Sequence, residues 1–197
     1  PALACRDLAF AYPGTARPVF TDLELQLAAG ERLLVTGDNG AGKSTLLRLC
    51  CRLVDPDRGS VSWSDRDLRL VDPQAVRART AICFQDGLGL ELSARDNLFY
   101  GSGKDRDAAL LAVADELGFG DVLRQLPAGL DTRLGRGFHG ARELSQGQWR
   151  RLQLVRAFAT DADLLLLDEP FAFLDPSAQQ RLAAFLRRLP RTRTVVV

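Results

Sequence analysis

The chain has 197 residues, of which 46% are hydrophobic and 26% charged, and its formal net charge is +1. This size and apolar content suffice for one domain with a substantial core, whereas the near-neutral charge argues against a dedicated nucleic-acid-binding surface. No apolar run approaches the ~18 residues that a membrane-spanning helix needs, so membrane attachment would have to come from a partner or another segment.

A strand, a glycine-rich loop and a helix are predicted in the first quarter of the chain. Residues 32–36 are mainly apolar, which is typical of a buried parallel strand. Four residues after the loop recur at helical spacing and predict one buried helix face: Leu46, Leu49, Cys50 and Leu53. The loop between them fits the phosphate-binding pattern Gly, four residues, Gly-Lys-Ser/Thr. It comprises Gly37, Asp38, Asn39, Gly40, Ala41, Gly42, Lys43, Ser44 and Thr45.

This loop is predicted to bind the phosphates of ATP. Glycines can take the positive φ angles that turn consecutive backbone N–H groups toward one anion, and the start of the following helix adds its dipole. Lys43 would reach the β- and γ-phosphates, Ser44 would ligate Mg²⁺, and Thr45 would hydrogen-bond the α-phosphate. A plain glycine turn is the alternative, and the flanking strand and helix make it less favoured.

A strand and two helices are predicted in the middle of the chain. Residues 81–84 form an apolar stretch that predicts a strand ending at Gln85. Residues 105–117 predict an amphipathic helix whose apolar face is Ala109, Ala112, Val113 and Leu117. A second helix begins at Ser145, and serine is a common N-cap. Its predicted buried face is Leu152, Val155 and Ala159, with Arg150, Arg151 and Arg156 elsewhere.

Four consecutive leucines, Leu164–Leu167, predict a fully buried central strand. Asp168 and Glu169 follow directly. Since ligands bind beyond the carboxyl ends of parallel strands, both carboxylates are expected beside the phosphate loop. Asp168 would hold Mg²⁺ through water, and Glu169 would polarise the attacking water as general base or positioning group. An ordinary acidic turn that closes a strand is the alternative.

From residue 3 to residue 197 the chain resembles the nucleotide-binding domain of an ATP-binding cassette (ABC) protein. Leu144, Ser145, Gln146, Gly147 and Gln148 resemble that family's signature, Leu-Ser-Gly-Gly-Gln, with Gln146 in place of the first glycine. The resemblance implies an α/β fold: a P-loop NTPase (RecA-like) core with a mainly parallel sheet, an N-terminal antiparallel β subdomain, and an inserted α-helical subdomain at about residues 87–160. It also implies a single domain over residues 1–197 that stops before the family's switch histidine. His139 precedes the signature and is expected to be a solvated loop residue.

The resemblance also implies roles for further residues. Ser145, Gln146, Gly147 and Gln148 would contact the ATP held by a second domain. Gln85 would contact Mg²⁺ and the attacking water. Tyr12 would stack on adenine, and a core or turn tyrosine is the alternative. Asp175 would carry signals across the dimer, in a loop where the family usually has Ser-Ala and this chain has Ala172 and Phe173.

Residues 126–137 are similar to the exporter branch of the family, in which this domain is fused behind six membrane helices. The resemblance implies an ATPase that uses ATP and Mg²⁺ at the cytoplasmic face of the cell membrane. It would drive export through a transmembrane domain, and it would pair with a second nucleotide-binding domain of the same or a related chain. No nucleic-acid partner is expected. The alternative is a soluble ABC ATPase that acts as a conformational switch on a non-membrane partner.

The four cysteines are Cys5, Cys50, Cys51 and Cys83. They lack Cys-x-x-Cys spacing, which argues against a metal site or a disulfide framework. We expect mostly buried, reduced thiols.

Overall fold

The computed structural model describes residues 2–85, 89–99, 107–136 and 139–197. The chain divides into two compact units. Unit 1 comprises residues 1–84, 162–168 and 190–197. Unit 2 comprises residues 85–161 and 169–189.

Two four-stranded sheets are described in unit 1. The strands of the first are β1 (Leu3–Phe10), β2 (Phe20–Leu27), β4 (Arg58–Trp63) and β5 (Arg66–Asp67), following chain order. The strands of the second are β3 (Arg32–Leu33), β6 (Thr80–Cys83), β7 (Leu164–Leu167) and β8 (Thr194–Val196). The first sheet is antiparallel in the order β2-β1-β4-β5, and the second is parallel in the order β3-β8-β7-β6. An N-terminal antiparallel sheet and a parallel sheet were both expected, and this part of the predicted fold class is confirmed.

Helix α1 (Lys43–Cys50) and helix α2 (Pro73–Ala78) also belong to unit 1. Asp72 caps α2 through the N–H of Gln74, and proline follows at the first helical position, where its missing N–H is not needed. One apolar core joins α1 to residues of both sheets, among them Leu3, Leu49, Cys50, Leu164 and Leu166. The four cysteines are buried thiols, as predicted.

The strand before the glycine-rich loop differs from its prediction. β3 has only two residues and pairs on one side only, with β8, so it is the edge of the parallel sheet. Leu34, which was expected to be buried in this strand, is 69% exposed. An edge strand has a neighbour on one side alone, and the apolar run therefore does not guarantee burial. Leu53, expected on the buried face of α1, is exposed because the helix ends at Cys50.

Unit 2 is built from helices α3 (Ala94–Phe99), α4 (Asp107–Glu116), α5 (Gly120–Arg124), α6 (Gln146–Phe158) and α7 (Pro176–Arg188). α6 begins with a capping box between Ser145 and Gln148, and α7 begins with Asp175 as N-cap and proline at its first position. Both helices therefore start where sequence signals place a start. Among the described helices of the whole chain, none combines the length and apolar character needed to cross a bilayer.

The predicted apolar face of the helix at residues 105–117 is wrong by about one position. Residues 105 and 106 lie outside the described residues, and the described helix α4 buries Leu110 and Ala114, followed by Leu117 just beyond its end. The sequence from Ala108 to Val113 is apolar throughout, so periodicity did not select a single face. Burial favours the larger leucine side chain at position 110.

Leu165→Ala and Leu34→Ala form a matched test of this fold. Leu165 is 0% exposed in the central strand β7, so its truncation should lower the free energy of unfolding by about 2–5 kcal/mol. The exposed Leu34 should lose less than about 0.5 kcal/mol. Urea unfolding of the two variants measures both values, and equal losses would contradict the edge position of β3.

Candidate active site

The glycine-rich loop connects β3 to α1 within unit 1. Gly42 is the N-cap of α1 and has a φ of 96°, in the left-handed region that favours glycine. A Cβ atom there would lie 2.6 Å from Val19 Cγ1 and 2.8 Å from Phe20 Cζ, so packing also requires glycine. Because α1 has no side-chain cap, its first N–H groups form a site suited to an anion.

Lys43 is the first residue of α1, and its side chain returns to the loop. Its Nζ donates to the carbonyl oxygens of Gly37 at 2.7 Å and Asp38 at 3.0 Å. An ammonium group has three N–H donors, so one remains for a further acceptor such as a phosphate oxygen. The loop therefore carries a positive side chain as well as the positive end of a helix dipole.

Tyr12 is held against α1 at its hydroxyl group. The Tyr12 hydroxyl lies 3.1 Å from Thr45 Oγ1, and Arg48 Nη1 donates to it at 2.8 Å. The ring meets Phe10 edge to face, with 5.0 Å between ring centroids. Sequence reasoning did not find the contact with Arg48. These contacts are compatible with a structural role for Tyr12, the alternative that the sequence left open.

Asp168 and the loop lie at the same edge of the parallel sheet. Asp168 directly follows β7, its N–H donates to Cys83 O at 2.8 Å, and the residue is 5% exposed. β8 separates β7 from β3, which leads into the loop. With ~4.8 Å between neighbouring strands, β7 and β3 are about 10 Å apart across the sheet. The parallel sheet thus presents a buried carboxylate and the phosphate-type loop on one side.

In unit 2, Glu169 and Gln85 are in contact, as two residues of one predicted catalytic group should be. Gln85 Nε2 donates to Glu169 Oε2 at 2.9 Å. Glu169 has a φ of 46°, which is uncommon for a residue with a side chain and marks a constrained backbone. Its carbonyl oxygen accepts hydrogen bonds from Ala172 N at 3.0 Å and from Arg150 Nη2 at 2.7 Å.

The burial of Arg150 was missed by sequence reasoning, which placed this residue away from the buried face of its helix. Arg150 is 3% exposed. Nearly every side of α6 is covered, since its buried residues are Arg150, Leu152, Gln153, Leu154, Val155, Ala157 and Phe158. Periodicity assigns polar residues to the solvent, so it cannot find a buried arginine that bonds a main-chain carbonyl.

The signature residues form the start of α6. Ser145 Oγ accepts the N–H of Gln148 at 3.2 Å, and Gln148 Oε1 accepts the N–H of Ser145 at 2.9 Å. A Cβ on Gly147 would lie 2.8 Å from the carbonyl oxygen of Phe173, so this glycine permits a close backbone approach. Ser145 and Gln146 are exposed. The N-cap alternative for Ser145 is therefore realised, and it leaves the hydroxyl hydrogen available.

Asp175 has an equally local role as the N-cap of α7. Its Oδ1 accepts the N–H of Ala178 at 2.9 Å. This hydrogen bond, with a smaller contribution from Arg151, lowers the pKa of Asp175 below its ordinary value. Arg151 Nη2 lies 3.8 Å from Asp175 Oδ2. His139 is exposed in a turn, as predicted.

A glycine loop between a parallel strand and a helix, with a buried aspartate at the same sheet edge, defines a P-loop nucleotide-binding core. A sequence profile described as ABC transporter matches residues 20–172. The chain belongs to the ABC transporter family, whose members bind ATP through this domain, and the predicted family is confirmed.

Curated relatives and a solved structure agree with this assignment. The chain is 34% identical over 196 residues to "Glutathione/L-cysteine transport system ATP-binding/permease protein CydC" of Escherichia coli, covering 100% of this chain and 33% of the relative. It is also 34% identical to "ATP-dependent lipid A-core flippase" of Thiobacillus denitrificans, covering 99% of this chain and 33% of the relative. The chain therefore spans about a third of the length of these relatives. "Structure of a bacterial Atm1-family ABC exporter with ATP bound" matches with a TM-score of 0.89 and 29% identity, over 100% of this chain and 34% of the solved one.

Ser145→Ala should lower the free energy of unfolding by about 0.5–2 kcal/mol, because it removes the acceptor for the Gln148 N–H. Ser145→Asp is the matched variant, since aspartate caps a helix as well as serine does. It should keep most of the stability. Thermal or urea unfolding distinguishes the two, and equal destabilisation by both would contradict the capping role.

Proposed function

We propose that this chain is the ATP-hydrolysing domain of an ABC exporter. The observation that carries the proposal is the parallel sheet that presents the glycine-rich loop and the buried Asp168 at one edge. The names of the relatives, an ATP-binding/permease protein and an ATP-dependent flippase, support the direction of transport. The bound nucleotide is ATP, and the metal is Mg²⁺.

The loop from Gly37 to Thr45 binds the triphosphate through its backbone N–H groups, and Lys43 supplies the third N–H of its ammonium group to the β- and γ-phosphates. Hydroxyl, amide and carboxylate oxygens are the ligands that Mg²⁺ prefers, and Ser44, Gln85 and Asp168 provide them. When bound, the ion neutralises negative charge on the phosphate oxygens. Tyr12 stacks on the adenine.

Glu169 is the group that polarises the attacking water. Gln85 donates to Oε2 of this carboxylate, so we assign Oε1 to accept a proton of the water. The carboxylate is oriented by one side-chain donor while its main chain is fixed by two hydrogen bonds to the carbonyl oxygen. Such orientation lowers the entropy cost of placing the water in line with the γ-phosphate.

The signature residues act on the ATP of a second nucleotide-binding domain. A hydroxyl can accept one hydrogen bond while it donates another, so Ser145 can cap α6 through the Gln148 N–H and still donate to a γ-phosphate oxygen. The dipole of the 13-residue helix α6 adds to this attraction. Gln146 and Gly147 complete the contact, and Asp175 takes part in signalling between the two domains. Two shared nucleotides stabilise the closed dimer because they contact both halves only there.

The partner of this motor is a transmembrane domain, and the site of action is the cytoplasmic face of the cell membrane. The chain covers 33% of two relatives, one of which is described as an ATP-binding/permease protein, which supports fusion to a membrane permease. ATP-driven closing and opening of the domain pair then changes the access of the permease from one side of the membrane to the other.

Lys43→Ala should weaken MgATP binding at least about tenfold, because hydrogen bonds to charged groups contribute about 1.5–3 kcal/mol each. Titration with a fluorescent ATP analogue measures the affinity. Arg66→Ala is the matched control, since it removes an exposed cation from β5 in the same unit. Unchanged affinity in the Lys43 variant would contradict the loop assignment.

Glu169→Gln should lower ATP turnover at least about 100-fold and retain MgATP, because an amide keeps the shape of the carboxylate and loses its basicity. Light scattering with MgATP should detect a stabilised dimer, and phosphate release gives the rate. Glu116→Gln, which neutralises an exposed carboxylate paired with Arg188, should leave turnover unchanged. Full turnover in the Glu169 variant would exclude Glu169 from this role.

A further inference from the structure

Arg150 connects the start of α6 to the main chain of Glu169. The residue is 3% exposed, and Nη2 donates to the Glu169 carbonyl oxygen at 2.7 Å. Nη1 lies 3.4 Å from Gln153 Oε1, one turn further along the helix. Burial of a charged group costs free energy unless hydrogen bonds compensate it, so these bonds have to hold the side chain in one place.

The carbonyl group of Glu169 is held at both of its lone pairs. Arg150 occupies one, and the N–H of Ala172 occupies the other at 3.0 Å. The residue itself has a φ of 46°, a left-handed conformation that a side chain disfavours. The Cβ direction, and with it the path of the carboxylate, follows from this backbone setting. Loss of one of the two bonds would free the peptide group to leave it.

Two further contacts join the same parts of unit 2. A Cβ on Gly147 would lie 2.8 Å from Phe173 O, which shows how closely α6 approaches the turn after Glu169. Arg151 lies 3.8 Å from Asp175 and donates to Gly118 O at 2.9 Å. The start of α6 and residues 169–175 are therefore packed as one piece, with Arg150 as its buried link.

We propose that Arg150 is a positioning residue that sets the main chain of Glu169 for hydrolysis and ties that setting to the position of the helix start at Ser145. The proposal rests on the proposed role of Glu169. Arg150 lies five residues after Ser145, about one and a half helical turns, so the two move together. When Ser145 contacts the ATP of a second domain, α6 is fixed in place. Arg150 then transmits this position to the Glu169 of its own domain.

A purely structural role for Arg150 predicts a different result from a positioning role. A structural arginine affects stability and nucleotide affinity, and its loss adds to the loss of Glu169. A residue that acts through Glu169 affects the rate at saturating ATP, and its effect disappears once Glu169 no longer polarises water. The two roles are therefore separable by a double-mutant cycle.

The experiment measures ATP hydrolysis by the purified protein with Arg150→Met, Arg150→Lys, Glu169→Gln and the two Arg150 variants combined with Glu169→Gln. Arg150→Met should lower kcat about 10- to 100-fold, since small misplacement of a catalytic group costs that much, with KM for ATP changed less than about twofold. Arg150→Lys retains one donor and should have an intermediate kcat. Arg156→Met removes a cation from the same helix and should keep kcat within about twofold of the parent.

In the Glu169→Gln background, single-turnover hydrolysis should proceed at nearly the same rate with and without the Arg150→Met substitution. Multiplicative losses, or an unchanged kcat in a folded Arg150→Met protein, would overturn the proposal. If Arg150→Met does not fold, Arg150→Lys decides: a lower kcat at unchanged KM supports the proposal, and the parent kcat overturns it. Full turnover by Glu169→Gln alone would instead refute the proposed role of Glu169, so the two failures are distinguishable.

Discussion

The pairing of β7 on both of its sides is the constraint on which the site in unit 1 depends. Its four leucines are fully buried, and its backbone pairs with β6 and β8 in parallel register. A buried strand leaves no polar backbone group unpaired without a cost, so its position in the sheet is fixed. Since all four strands run in the same direction, Asp168 emerges at the edge where β3 enters the glycine-rich loop.

Three helix starts show how the same backbone feature can serve different tasks. α1 begins at Gly42 without a side-chain cap, which leaves its N–H groups for an anion. α6 begins at Ser145, a neutral cap that can still donate a hydrogen bond, whereas α7 begins at Asp175, whose carboxylate already carries the negative charge. A phosphate is therefore compatible with the first two starts and is repelled by the third, in agreement with the division of roles that we propose.

The candidate site was predictable from sequence where short-range pattern and chemistry coincide. The loop residues, the strand before Asp168 and the cap at Ser145 follow from spacing within a few residues. Arg150 did not, because its partner is a carbonyl oxygen nineteen positions away, and no periodicity reports such a bond. The burial of Leu34 was also wrongly predicted, because a sequence does not show that its strand lies at a sheet edge.

The sequence by itself determined the phosphate loop, the order of its motifs and the family, since these depend on local residue types at fixed spacing. Only the tertiary structure decided the strand order β3-β8-β7-β6, the buried face of α4 and the contacts of Gln85 and Arg150 with Glu169. The reason is physical: strand order and side-chain partners are set by competition for burial and hydrogen bonds among segments far apart in the chain. Local preferences alone do not resolve that competition.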